Sequence, residues 1–166
     1  MAKLTLHVPE DEGLLAALGE VALRHEHMNY VLRMTIKSLA GVTPTEAIAA
    51  TEYETSRQWR KRARTLARKR LGEGAPLIKL QAILASCGSL TEQRNQLVHG
   101  LWAKQLDGEA QIRNPDVKPR SLPTAQELRA LATEIKKLTD QLNQERLEGF
   151  LYEALSKSTK LGAAKE

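Results

Sequence analysis

Apolar residues recur at steps of three and four along most of this chain, and that period constrains its fold more than any other feature. Between about residues 11 and 40 the stripe is Leu14, Leu18, Val21, Met28, Leu32, Ile36 and Leu39, a spacing that lines one face of a helix. Gly41 is placed to end it. Thr43-Pro44-Thr45-Glu46 supplies a capping hydroxyl, a proline at the first helical position and a Glu at the third. The helix it opens is expected to run to about Leu71 and to stop at Gly72-Glu73-Gly74. A third helix starts near Pro76 and carries Leu80, Ile83, Leu84 and Cys87. Ser89-Leu90-Thr91-Glu92 is another capping signature, so this helix either runs through Gly88 or restarts there. In both cases Leu90 to Lys104 reads as helix. Thr124-Ala125-Gln126-Glu127 opens the last helix, whose seam of Leu128, Leu131, Ile135, Leu138 and Leu142 continues through Leu151 and Leu155.

Two weaker signals point to strands. Leu4, Leu6 and Val8 alternate with polar residues, and Asp107-Gly108 suits the turn of a short hairpin. Residues 114–122, with two prolines, read as a loop. The expectation is an all-α antiparallel bundle of four or five helices with a short β-hairpin near residues 102–112. At 166 residues the chain fits one domain, residues 1–166, with a core from about 11 to 157 and short flexible termini.

A single cysteine, Cys87, rules out an intrachain disulfide and a cysteine-based zinc cluster. The four histidines, His7, His25, His27 and His99, are scattered, so neither a metal nor another cofactor is expected. His25 falls on the apolar stripe of the first helix and is expected in the core. No run of eighteen apolar residues exists to span a membrane, and the first twelve residues lack the apolar stretch of a secretory signal. The expected compartment is the cytoplasm.

The net charge of +5 is concentrated. Eight basic residues and no acid lie between Arg57 and Arg70, and the remainder of the chain carries 17 basic against 20 acidic residues. Arg57, Arg60, Lys61, Arg64 and Arg68 fall within a helical arc of about 100°, facing away from Ile48, Trp59, Ala63 and Leu66. Charge runs are usually solvated helix faces. A stripe of cations without interleaved acids nevertheless repels itself and suits a polyanion, either an RNA backbone or an acidic protein partner such as an antitoxin.

The chemistry-bearing segment is Arg94-Asn95-Gln96-Leu97-Val98-His99-Gly100-Leu101-Trp102. With helical steps of about 100°, Leu90, Leu97, Val98 and Leu101 all fall within about 60° of Arg94. A guanidinium there takes the place of a leucine, and burying it unpaired costs roughly several kcal/mol. An ordinary structural account pairs it with Glu26 or Glu127. Asn95 and His99 are four apart and share a flank, with Trp102 beside them. That flank and the apolar face together suggest a helix covered on two sides, as in a symmetric homodimer. Arg94 and His99 stand about 140° apart on an ideal helix, so a joint site requires the Arg side chain to bend or a second copy to contribute.

This segment resembles the signature of HEPN domains, an Arg followed by a polar residue and then a His within a helical bundle. The architecture over roughly residues 11 to 157 is similar as well. The resemblance implies a metal-independent endoribonuclease working as a homodimer, with Arg94, Asn95 and His99 as catalytic residues. It also implies a role as a toxin or defence effector, with 2′,3′-cyclic phosphate and 5′-hydroxyl products. The residue types fit that chemistry. RNA carries its own 2′-hydroxyl nucleophile, an imidazole can accept its proton near neutral pH, and a planar guanidinium can hold the phosphate oxygens as charge builds on them. The alternative expectation is a non-catalytic HEPN-like dimer that binds a nucleotide, nucleic acid or protein partner. In it His99 makes only ordinary hydrogen bonds.

Overall fold

The computed structural model describes residues 4–105, 108–115 and 117–163. The chain is mostly α, with a small antiparallel sheet. In order the elements are β1 (Leu4–Leu6), α1 (Glu12–Ala40), α2 (Pro44–Ala50), α3 (Ser56–Leu71), α4 (Ala75–Val98), β2 (Leu101–Gln105), β3 (Ala110–Asn114), β4 (Val117–Ser121), α5 (Ala125–Leu147) and α6 (Phe150–Ala163). The helical class and a hairpin close to residues 102–112 are as the sequence predicts.

Residue contacts divide the chain into two compact units, Met1–His25 with Leu90–Ile135 and Glu26–Ser89 with Lys136–Glu166. Helices α1, α4 and α5 contribute residues to both.

In the first unit the four strands form a meander in the order β1-β2-β3-β4. Strand β1 pairs with β2 through Leu6↔Ala103, β2 with β3 through Trp102↔Ile112, and β3 with β4 through Ile112↔Arg120. The expected loop at 114–122 is thus a strand. Pro119 is tolerated because β4 is an edge strand, where a missing N–H interrupts no ladder on the open side. The expected turn residue Asp107 lies outside the described residues. The core of this unit is built by Leu14, Ala17 and Val21 of α1, Leu97 of α4, Ile112 of β3, and Leu128 and Ile135 of α5, all buried. His25 is buried with them, its Nε2 3.2 Å from Thr91 Oγ1.

In the second unit the expected helix from 44 to 71 is two helices. Both begin in capping boxes, Thr43 with Glu46 and Thr55 with Gln58. Arg33 bridges the break, its Nε and Nη2 donating to Thr51 Oγ1 and the Ile48 carbonyl, each at 2.7 Å. The second box was visible in the sequence as Thr55-Ser56-Arg57-Gln58. Helix α4, by contrast, runs unbroken through Gly88. Arg60 crosses there, and a Cβ on Gly88 would sit 3.3 Å from Arg60 Nε, so the glycine makes room for a side chain rather than ending a helix. The expected continuous last helix divides before Phe150, whose N–H donates to Glu145 Oε2 at 2.9 Å. Helices α3 and α6 pack together, and Met28, Leu32, Leu80, Leu84, Leu142 and Leu151 are fully or almost fully buried.

Candidate active site

Helix α4 ends at Val98, six residues earlier than the apolar pattern predicts. The reason lies in what meets its last carbonyls, which have no partner within a helix. The Trp102 indole donates to the Leu97 carbonyl at 2.9 Å, and Asn114 Nδ2 donates to the Gln96 carbonyl at 3.4 Å. Trp102 therefore stands on β2 as a cap for α4, and not on a helical flank with Asn95 and His99. Gly100 is the pivot between helix and strand. A Cβ there would fall inside the van der Waals envelope of Ile112 Cγ2 and 2.5 Å from the Gln96 carbonyl oxygen.

The early stop resolves the angular problem posed by an ideal helix. His99 closes the last turn with its N–H on the Asn95 carbonyl at 2.9 Å, and its exposed side chain turns back along the helix. Arg94 Nη1 lies 3.2 Å from His99 Nε2 and donates to Asn95 Oδ1 at 3.1 Å. All three expected catalytic residues thus converge within one chain. A guanidinium N–H can only donate, so His99 Nε2 is the acceptor in this contact and a neutral ring carries its proton on Nδ1. Asn95 holds Arg94, not His99. Within the first unit Glu127 is not the carboxylate partner of Arg94, because Glu127 accepts from Thr124 at the start of α5. Arg94 Nε is buried with no hydrogen-bond partner. The guanidinium is half-buried, held at one nitrogen and unsatisfied at another.

One cation near the motif was hidden from sequence reasoning. Arg120, in the stretch expected to be a loop, donates to Gln96 Oε1 at 3.4 Å. Only the register of β4 on β3 brings it there.

Two recesses flank this end of α4. A cleft of about 310 Å³ is lined by Gln93, Leu97, Arg120, Leu122, Leu128 and Leu131 among others. A more apolar groove of about 520 Å³ includes Val8, Leu15, Leu18, Val98, Leu101 and Trp102. Neither is lined by Arg94 or His99; the His99 side chain is exposed and Arg94 is half-buried beside it.

The other expected site residues lie on α3, in the second unit. Arg57, Lys61, Arg64 and Arg68 are exposed. Arg60 is half-buried, donates to Ser56 Oγ at 2.8 Å, and is held below the ordinary guanidinium range chiefly by burial. Beside it the buried Cys87 thiol is pushed up to about 12 by desolvation, which makes it an unreactive neutral group. Among the described residues no group of three or more His, Cys, Asp or Glu is placed to hold a metal ion, and no helix is long and apolar enough to cross a membrane. No protein-family model, no curated protein and no solved structure matches this chain.

Proposed function

We propose that this chain is a HEPN-like endoribonuclease that cuts RNA without a metal, in a site formed by Arg94, Asn95 and His99. The observation that carries the reading is the 3.2 Å contact between Arg94 Nη1 and His99 Nε2, with Asn95 Oδ1 on the same Arg94 nitrogen. Six residues span a cation, its positioning amide and a base, all at an exposed helix end.

The reaction follows from those groups. A phosphate drawn to Arg94 competes for the Nη1 N–H that now covers the His99 lone pair. Once uncovered, Nε2 accepts the 2′-hydroxyl proton as the 2′ oxygen attacks phosphorus. The bond from phosphorus to the 5′ oxygen breaks, and that oxygen takes a proton from water while His99 returns its own to solvent. The ends are a 2′,3′-cyclic phosphate and a 5′-hydroxyl. Arg94 stabilises the charge on the non-bridging oxygens.

Purified protein is expected to cleave labelled RNA in excess EDTA and leave those ends. No cleavage of any RNA, or cleavage that EDTA stops, would remove the reading. The second reading is a HEPN-like dimer that binds an anion without cutting. It draws on the same contact, because an Arg that keeps the Nε2 lone pair covered binds phosphate but leaves no base. A protein that binds RNA and never cuts it supports that reading. Host growth is a cheap companion measurement, since expression of an active, toxin-like nuclease in a reducing cytoplasm slows the cell.

The dimer expected from sequence has support in the first unit. Leu6, Val8, Leu15, Leu23, Val98 and Leu101 are all exposed there, and several line the apolar groove. An exposed apolar groove lined by Val8, Leu15, Val98 and Leu101 suits an interaction site. Because His99 sits in sequence between two groove residues, Val98 and Gly100, a second copy seated on the groove borders the catalytic triad. Sedimentation at micromolar concentration is expected to show a dimer. Leu101→Asp, at a position already 46% exposed, is expected to raise the dissociation constant at least tenfold without unfolding the chain. A wild-type monomer at tens of micromolar overturns the dimer.

A further inference from the structure

Helix α3 contains no acidic residue. Its cations nonetheless divide sharply by what they touch. Arg62 is removed by Glu54, which accepts from its Nε at 3.1 Å and from its Nη2. Arg60 is half-buried against Ser56 and Gly88. Arg57, Lys61 and Arg64 are exposed, with no side-chain hydrogen bond or ion pair among the described residues, and Arg68 makes one pair there, with Glu73 at 3.3 Å, in which both side chains are mostly exposed. Such a pair is weak and open to exchange.

Of the exposed cations of α3, these four are spaced four, three and four residues apart. They lie within an arc of about 60° and one follows another at each turn, a ladder about 16 Å long. The ladder comprises these residues and leaves out Arg60. Like charges at these spacings destabilise a helix, so the sequence keeps a costly arrangement where interleaved Glu would relieve it. Around the ladder the exposed neighbours are Gln58, Thr65 and Lys69, and no large apolar residue of α3 is exposed. A protein interface draws its energy from apolar or aromatic anchors in the middle of the patch. This face has none.

We infer that Arg57, Lys61, Arg64 and Arg68 form a rail for the phosphodiester backbone of a nucleic acid, bound without regard to base sequence. The rail does not depend on the RNA-cutting reading. It supplies affinity and register through counterion release, and backbone contacts carry no base identity.

The test measures binding of a 2′-O-methyl RNA oligonucleotide, which lacks the nucleophile and so cannot be cut, across a salt series. A slope of roughly −2 to −3 in log affinity against log salt is expected, from three or four contacts at about −0.7 each. In Arg57→Gln/Lys61→Gln/Arg64→Gln the slope should fall to about −0.7, with affinity at least tenfold weaker at low salt. Gln keeps helix propensity and removes repulsion, and circular dichroism checks that the variant is folded. The single variants separate position from net charge. Lys61→Gln should flatten the slope by about 0.7, while Lys69→Gln, about 110° from the middle of the ladder on the same helix, should leave it unchanged. Single-stranded DNA of the same sequence should bind within a few-fold of the RNA. An unchanged slope in the triple variant overturns the rail, as do equal effects of Lys61→Gln and Lys69→Gln. Displacement of the RNA by polyglutamate at equal charge and equal potency also overturns it, and assigns the face to an acidic protein.

Discussion

His99→Ala is expected to lower RNA cleavage by about 10²- to 10⁴-fold, the usual range for losing a positioned general base, while leaving the chain folded. The side chain is exposed and among the described residues it hydrogen-bonds Arg94 alone, so stability should stay within about 0.5 kcal/mol of wild type. Arg94→Ala should cost roughly 10²- to 10³-fold, because in the proposed reaction the guanidinium meets the developing phosphate charge. Its effect on stability should be small, since the buried and unpartnered Nε leaves with it. Asn95→Ala should cost less than either. Asn95 acts through Arg94 and is a positioning residue, so a loss of about tenfold is expected, as for a misaligned catalytic partner. The three variants, purified alike and assayed in EDTA, also control for contaminating nucleases. Wild-type cleavage by His99→Ala would show that this constellation is not the source of activity.

Gly100→Ala is expected to destabilise the chain by about 1–3 kcal/mol, the cost of forcing extra volume into a packed site. For a chain of this length that corresponds to a fall in Tm of roughly 3 to 10 °C. The obstruction is partly backbone: the new Cβ meets the Gln96 carbonyl as well as the Ile112 methyl. Neither can swing away without moving α4 against β3. The same change at Gly19, within α1, should do the opposite. Nothing lies within 4 Å of a Cβ there, and replacing a mid-helix glycine gains about 0.5–1 kcal/mol. Opposite shifts for the two variants in one thermal melt would confirm the close crossing at Gly100. A Gly100→Ala protein as stable as wild type would show that β3 does not pack there.

The helices were legible wherever their signals are local. Thr43 with Glu46 and Thr124 with Glu127 make the capping hydrogen bonds that their spacing predicts, and these lower the pKa of both carboxylates, Thr43 and Thr124 being the main causes. Gly41 and Gly72 end helices with positive φ. The apolar steps of α1 and α5 place the residues that are buried. Each of these depends on atoms a few residues apart, so neighbours in sequence determine the outcome.

The errors are of another kind. Leu101-Trp102-Ala103-Lys104 fits a helix by composition and by stripe. It is a strand because Leu6 and Ile112, far away in the chain, supply its ladder partners. Likewise Val117–Ser121 becomes a strand despite Pro119 because β3 offers an edge. Hydrogen bonds of this range have no trace in local propensity. The candidate site combines both kinds. Sequence alone singled out the candidate residues, since an arginine within an apolar stripe, an amide beside it and a histidine five residues on are unusual in their types. Only the tertiary structure decided that they meet. The sheet ends α4 at Val98, and leaving the helix there lets His99 reach Arg94, whereas another turn would have held the two about 140° apart.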